Sequence, residues 1–203
     1  TTVYGLDNFD SNIFKNIINY NLDPGSFFSR SNIETAKEAI QFVLGEKGYA
    51  FPLVQLNVEL KDDSESVDIT IRVDPKKKSF VRRINIKGNT KTNDEVYRRE
   101  LRQFESSIYS INKVERSKIR LQRLKFVNKV DIKKTIVDEE NGYIDIDFLL
   151  EETQSGEFKV GAGYSDSSGA IFNIKVQQDN FLGKGNNVSL EIEKSSYKKL
   201  LRY

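Results

Sequence analysis

No cysteine, histidine, methionine or tryptophan occurs in the 203 residues, and there are only three prolines. Without Cys there is no disulfide framework, no thiolate nucleophile and no Cys-ligated metal. Without His the commonest general base and metal ligand is missing. No apolar run approaches the ~20 residues of a membrane-spanning helix. Neither sign of charge dominates: 32 basic and 30 acidic residues leave a net +2. The two signs are interspersed, which argues against a nucleic-acid partner. The one basic run, Lys76-Lys77-Lys78, reads as a solvated linker. With no Met at its start and no signal-peptide pattern, the chain is expected to be a mature fragment of a longer protein.

What is present is a repeat. Gly48-Tyr49 opens a stretch that ends in the apolar run Val67 to Val73, and 77 residues later Lys125-Phe126 opens one that ends in Ile144 to Leu150. A repeat defines the architectural unit before any single residue is interpreted. A unit of this size buries only ~60% of its unfolded surface, so each copy is expected to lean on its neighbour.

The first copy opens with a strand at Thr1 to Leu6. Helical spacing of Ile13, Phe14, Ile17 and Ile18 predicts a helix over about 11–21. After a turn at Asp23-Pro24-Gly25, Ser31-Asn32-Ile33-Glu34 has the form of a capping box. The helix it would start carries Ile33, Ala36, Ile40, Val43 and Leu44, and Gly48 marks its stop. Strands follow at about 54–60 and 67–73 across the turn Asp62-Asp63-Ser64-Glu65. The second copy has a strand at 80–87 and a turn at Gly88-Asn89. A second capping box, Thr92-Asn93-Asp94-Glu95, opens a helix expected to carry Val96, Tyr97, Leu101 and Phe104. A helix at about 112–124 and strands at about 129–137 and 143–151 complete it. Strand–helix–helix–strand–strand predicts an α+β layer, a three-stranded sheet with both helices on one face. The last strand of each copy is the most continuously apolar and should be central. The strand before it, with lysines that blunt an exposed edge, should lie outermost.

From about Gly156 the pattern changes. Phe158, Val160, Ala162 and Tyr164 alternate with Lys159, Gly161 and Gly163. Phe172, Ile174 and Val176, and then Val188, Leu190 and Ile192, alternate with polar neighbours in the same way. Transmembrane barrel strands have this dyad pattern over ~9–11 residues. A half-buried soluble meander is the alternative; three such strands in succession with no covering helix weigh against it.

The run Val176-Gln177-Gln178-Asp179-Asn180-Phe181-Leu182-Gly183-Lys184-Gly185 resembles the first periplasmic turn of the barrel in the BamA family of outer-membrane protein assembly factors. Phe80-Val81-Arg82-Arg83-Ile84, Gly88-Asn89 and the stretch Arg98 to Glu105 resemble the last polypeptide-transport-associated (POTRA) domain of that family, and Gly48-Tyr49-Ala50-Phe51-Pro52 the penultimate one. The resemblance covers essentially the whole chain. It implies two POTRA domains, 1–78 and 79–153, then the opening strands of a truncated transmembrane antiparallel β-barrel, 154–203. A Trp is common in the family where Phe181 stands. The family also carries more POTRA domains upstream and a longer barrel with an Arg-bearing inward loop, which lie outside these 203 residues.

The resemblance also implies sites and partners. Unfolded outer-membrane proteins would add a strand to a sheet edge, for which the candidates are Gln55, Leu56, Asn57, Val58 and Glu59 in one copy and Val130, Asp131, Ile132, Lys133 and Lys134 in the other. Recognition through backbone groups suits a receptor for many clients. An edge merely protected by lysine is the alternative at either site. An accessory lipoprotein would dock at Arg98, Phe104 and Glu105, where the alternative is a solvated helix face with pairs such as Glu95–Arg99. Phe158, Gly161, Gly163 and Tyr164 would form the barrel seam, the glycines weakening the strand or permitting curvature. Gln177 to Gly183 would form the periplasmic turn, and outer-membrane lipid would surround the strands.

Other patterns carry no chemistry. Gly161-Ala162-Gly163 and Gly183-Lys184-Gly185 lack the helix that a phosphate loop opens. Asn187-Val188-Ser189 is a chance glycosylation match. Asp138-Glu139-Glu140 and Glu151-Glu152 place neighbours on opposite faces, which serves an acid–base pair poorly. No catalytic residue, metal site or cofactor is expected, so the chain reads as no enzyme. Two competing readings remain, a two-partner secretion pore and a soluble periplasmic adaptor.

Overall fold

Helical spacing and strict alternation are realised nearly where the sequence places them. The computed structural model describes residues 2–6, 9–22, 29–60, 67–167, 169–195 and 199–202. The first copy runs β1 (Thr2–Tyr4), α1 (Ser11–Asn21), α2 (Arg30–Glu46), β2 (Leu53–Leu60) and β3 (Val67–Asp74). The second runs β4 (Phe80–Lys87), α3 (Asp94–Arg98), β5 (Ser107–Ile108), α4 (Ile111–Gln122), β6 (Val127–Asp138) and β7 (Tyr143–Glu152). The tail forms β8 (Gly156–Ser165), β9 (Gly169–Phe181), β10 (Asn186–Ser195) and β11 (Lys199–Arg202). Thr1 and the expected turns at 23–25 and 62–65 lie outside the described residues.

Asp10 caps α1 by accepting from the Asn12 amide at 3.0 Å, and the stripe Phe14, Ile18 and Leu22 points inward. Ile33, Ala36, Ile40 and Leu44 of α2 meet it, and Val54, Ile71 and Val73 close the core from one sheet face. Ile40 and Leu44 are fully buried, so truncating either to Ala would cost ~2–5 kcal/mol. The sheet order is β1-β3-β2, with β1 parallel and β2 antiparallel to β3. The most apolar strand is therefore central and β2 is an edge, as the continuous apolar run of the last strand predicts. The second sheet has the order β5-β4-β7-β6, which again puts the strand before the last, β6, at an edge.

Several expectations are corrected. The cap of α2 is Ser29, whose Oγ accepts from the Asn32 amide at 3.5 Å. Ser31 already lies inside the helix, where its carbonyl accepts from Thr35 Oγ1 at 2.9 Å. Both serines are competent caps, and the one with extended backbone takes the role. Thr92 caps nothing: Asn93 precedes α3 and makes no side-chain cap bond. The helix expected to reach Phe104 ends at Arg98. Leu101 is buried beyond it, whereas Phe104 is 63% exposed. The second sheet has four strands instead of three because the two-residue β5 pairs with β4 through Phe80↔Ile108 and Val81↔Ser107. The tail likewise gains a fourth strand, β11.

The chain divides into two compact units, Thr1–Ile84 with Gln103–Glu115 and Lys134–Ile146, and Asn85–Arg102 with Arg116–Lys133 and Asp147–Tyr203. In the first unit the two copies are closely packed. Gly48, at φ +101, ends α2 where an added Cβ would lie 2.8 Å from Ile108 Cγ2. Its carbonyl accepts from the Ser79 amide at 2.8 Å. The buried Ser79 Oγ accepts from the Ala50 amide at 3.3 Å. The basic run is tied down as well: Lys76 pairs with Asp74 at 2.8 Å and Lys77 donates to the Glu140 carbonyl at 2.9 Å.

Candidate functional site

An edge strand offers unpaired backbone groups along one side. In β2, Gln55, Asn57, Val58 and Glu59 are exposed, with Leu56 half-buried. Among the described residues no strand lies beyond β2. In β6, Val130 is buried while Asp131 and Lys133 are exposed, and Ile132 is intermediate. Lys134 is not the free edge lysine that the pattern suggests. Its ammonium donates to the Ala50 carbonyl at 2.7 Å and lies 5.2 Å and 5.3 Å from the ring centroids of Phe51 and Tyr109. Burial lowers its pKa and raises that of Tyr109.

The expected docking residues have separate duties. Arg98 pairs with Asp94 one turn before it on α3. Glu105 is not on a helix: its Oε1 accepts from the Ile84 amide at 2.8 Å. Phe104 projects from the loop. Charges on β4 and β7 are also paired. Arg82 makes a two-pronged contact to Asp145 at 2.6 and 2.9 Å, and Lys87 with Asn85 holds Asp147. The Arg82 contact lowers the pKa of Asp145, and the Lys87 and Asn85 contacts lower that of Asp147.

In the tail sheet, ordered β11-β10-β9-β8, strand β8 is at an edge. The register lines up Phe158 with Val176 and Leu190, and Val160 with Ile174 and Ile192. These rows form one apolar face, uncovered among the described residues, on which Phe158 is 68% and Val160 66% exposed. An uncovered patch of this kind marks an interaction with a membrane or another protein. Strands of ten residues at ~3.3 Å per residue, tilted as in barrels, cover about the 25 Å of an outer-membrane apolar band. A Cβ at Gly163 would meet nothing within 4 Å, and one at Gly161 only Asn173 Cβ at 3.8 Å. Neither glycine of the expected seam is therefore demanded by crowding.

The Gln-Gln-Asp-Asn run supplies the sharpest geometry. Gln177 Nε2 donates to Asp179 Oδ1 at 2.8 Å, and Lys125 Nζ approaches the same oxygen at 3.2 Å. Gln178 donates to Ser155 Oγ at 2.9 Å. Asn180 Nδ2 donates to Thr92 Oγ1 at 2.7 Å, and Asn180 Oδ1 accepts from the Gly185 amide at 2.8 Å. Gly183 is buried, while Phe181 is 45% and Leu182 73% exposed. The Asn93 amide donates to the Gly183 carbonyl at 2.9 Å. A cleft of about 490 Å³ lies between Thr92, Phe126, the 153–156 linker and Gly183.

Beneath this contact sits a residue whose bonding role sequence reasoning missed. Glu152, at the end of β7, accepts from the amides of Thr90, Lys91 and Thr92 at 2.9, 2.8 and 3.1 Å. It also accepts from the hydroxyls of Thr90 and Tyr97 at 3.0 and 2.7 Å. Burial opposes its charge, yet the bonds from Thr92, Tyr97, Lys91 and Thr90 outweigh it and hold the carboxyl at about 2. Tyr97 is itself fully buried, with its ring 6.1 Å from that of Phe126. The available signal was an acidic residue closing an apolar strand, with a Gly-Asn-Thr-Lys-Thr turn elsewhere in the same copy.

A family model described as POTRA, surface antigen variable number repeat, matches residues 2–76 and again 79–153. The chain belongs to the POTRA family. Outer membrane protein assembly factor BamA of Buchnera aphidicola is 32% identical over 98% of the chain, which spans 33% of that protein. The crystal structure of BamA from Haemophilus ducreyi lacking POTRA domains 1–3 superposes with a TM-score of 0.74 at 30% identity, over 89% of this chain and 35% of that one. BamA POTRA3–5 of Haemophilus influenzae gives 0.70 at 29% identity, over 74% of this chain and 59% of that one. The resemblance to BamA read from the Gln-Gln-Asp-Asn run is thus matched by relatives over nearly the whole length, and the α+β POTRA architecture with it.

Proposed function

We propose that this chain is the membrane-proximal part of an outer-membrane protein assembly factor. Residues 1–78 and 79–153 are its two periplasmic POTRA domains, and 154–203 opens its barrel in the outer membrane. The observation that carries this reading is β8: a free-edge strand in a sheet with an uncovered apolar face, a few residues beyond a POTRA repeat. Lipid covers the rows Phe158–Val176–Leu190 and Val160–Ile174–Ile192. The action is non-covalent, with no catalytic residue and no cofactor, driven by folding of the client.

Unfolded outer-membrane proteins pair in extended form with β2 at 55–59 and with β6 at 130–134, and pass to the seam strand at Phe158 to Tyr164. A net backbone hydrogen bond contributes only ~0.5–1.5 kcal/mol, so short pairings are reversible. An accessory lipoprotein docks at Arg98, Phe104 and Glu105, where Phe104 supplies the exposed apolar contact.

The test is site-specific photo-cross-linking in the full-length protein, with the probe at Asn57, Ile132 or Gly161 and an unfolded barrel protein as client. Adducts at these positions, and none at Glu38 on an exposed face of α2, are expected. Adducts equally frequent at Glu38, or none at the three edges, would overturn the reading. Proline substitutions at Asn57 and Val58 separate the two sides of β2: one removes an amide from the ladder to β3, the other from the free side only.

A further inference from the structure

We infer that Glu152 is a positioning residue for client folding, holding the Asn180–Gly185 turn, and with it the start of β8, in one orientation to the end of β7. The inference rests on the assembly reading above and deepens it.

A carboxylate is acceptor-only, with about four lone-pair sites. Glu152 directs them at the amides and hydroxyls of a single loop, Thr90 to Thr92, and at Tyr97 behind it. That loop touches the turn directly. Thr92 accepts from Asn180, and Asn93 donates to the Gly183 carbonyl. Gly183, at φ +71, is pressed so close that an added Cβ would lie 2.3 Å from the Lys91 carbonyl oxygen. Gly185 is confined less tightly, an added Cβ lying 2.8 Å from Val96 Cγ1 and 2.7 Å from the Arg99 guanidinium. A second set of ties fixes the other side: Lys125 to Asp179, and Gln178 to Ser155. With Gly156 paired to Gln178, strand β8 begins at a set place.

Stability of the repeat alone needs none of the bonds that cross from Thr92 and Asn93 to the turn. Their presence gives the carboxylate a role beyond its own loop. An extended client that pairs with β8 inherits the strand's direction, so a loosened loop would present the seam at many angles. Gln cannot replace Glu here, because its amide nitrogen would face N–H and O–H donors.

The experiment uses the full-length protein in liposomes, with spin labels at Arg116 on α4 and Lys184 in the turn. It also records the folding rate of an added barrel client. Wild type is expected to give one narrow distance. Glu152→Gln and Thr92→Val are expected to broaden it and slow client folding, about tenfold for Glu152→Gln, the scale of one lost charge-assisted bond, and by less for Thr92→Val, which loses a neutral one. Thr92→Val removes the hydroxyl link while leaving the Thr92 amide on Glu152, so it serves if Glu152→Gln fails to fold. Thr92→Ser should restore both readouts. Narrow distances with wild-type rates in both variants would overturn the inference, as would broadened distances with an unchanged rate. A wild-type protein that folds no client would instead sink the assembly reading, while broadened distances in the variants would still establish the joint.

Discussion

Glu46, the last residue of α2, accepts from the backbone amide of Asn112 at 2.7 Å and from Ser110 Oγ at 2.8 Å. One repeat thereby caps the N-terminus of a helix in the next. That helix, α4, caps its Lys113 amide with its own Ser110 Oγ at 3.3 Å, but has no acidic residue in its first turn, so the Asn112 amide and the positive end of the helix dipole are served from outside. Glu46→Ala is expected to destabilise the chain by about 1 kcal/mol in urea unfolding. Glu46→Gln, which keeps an acceptor oxygen, should recover most of the loss. Equal losses for both would mean that charge alone matters.

Lys134 stands between Ala50, Phe51 and Tyr109 with its pKa lowered by burial. A lysine with a depressed folded pKa releases its proton in the folded state first. Its burial penalty therefore fades as pH rises from the folded value towards the unfolded ~10.4. Wild-type stability relative to Lys134→Met should increase with pH across that window. A difference that is flat with pH, measured by denaturation at each value, would contradict the burial argument.

Glu152 titrates with the opposite sign. Its folded pKa is depressed from the ordinary 4.5 to about 2, so its contribution is full above the unfolded value and lost as pH falls through the folded one. The stability gap between wild type and Glu152→Gln should be full above the ordinary 4.5 and shrink progressively as pH falls towards about 2. A gap unchanged at pH 3 would show that the carboxylate's bonds are not what separates the two.

Two glycines should respond in opposite ways to alanine. Gly163 has open space at its Cβ position, and Gly183 has the Lys91 carbonyl there at 2.3 Å with φ +71. Gly163→Ala is expected to be neutral or to stabilise by ~0.5–1 kcal/mol, through the smaller entropy loss. Gly183→Ala should destabilise by more than that. Thermal unfolding of the two variants side by side makes the comparison.

The tail decides how the chain behaves in plain buffer. With residues 154–203 present it should sediment as an associated or detergent-bound species, and as a monomer when they are removed. Monomers in both cases would identify the tail as an ordinary soluble sheet.

Much of the fold was legible because single elements bury one face. The stripe Phe14–Ile18 placed α1, and alternation in Val188, Leu190 and Ile192 placed β10 at the right phase. Leu101 and Phe104 misled because their spacing continues that of Val96 and Tyr97 after the helix has ended. Strand β5 has two residues, too few to carry a period. The duties of Glu46, Lys134 and Glu152 depend on partners 60 or more residues away in most cases, as Glu46–Asn112 and Lys134–Ala50 illustrate. No local pattern encodes such contacts. The Gln-Gln-Asp-Asn run was visible as a motif, while its bonds to Ser155, Thr92 and Lys125 were not.

Three residues separate β7 from β8, and both ends of that link are tied. The Thr153 amide donates to the Phe126 carbonyl at 3.0 Å, and the Ser155 carbonyl accepts from the Asp179 amide at 3.2 Å. A link so short and so tethered has little slack to absorb torsion. Torque applied at Phe126 would reach the β8–β9 hairpin as twist, much as a wrench handle turns the bolt it grips.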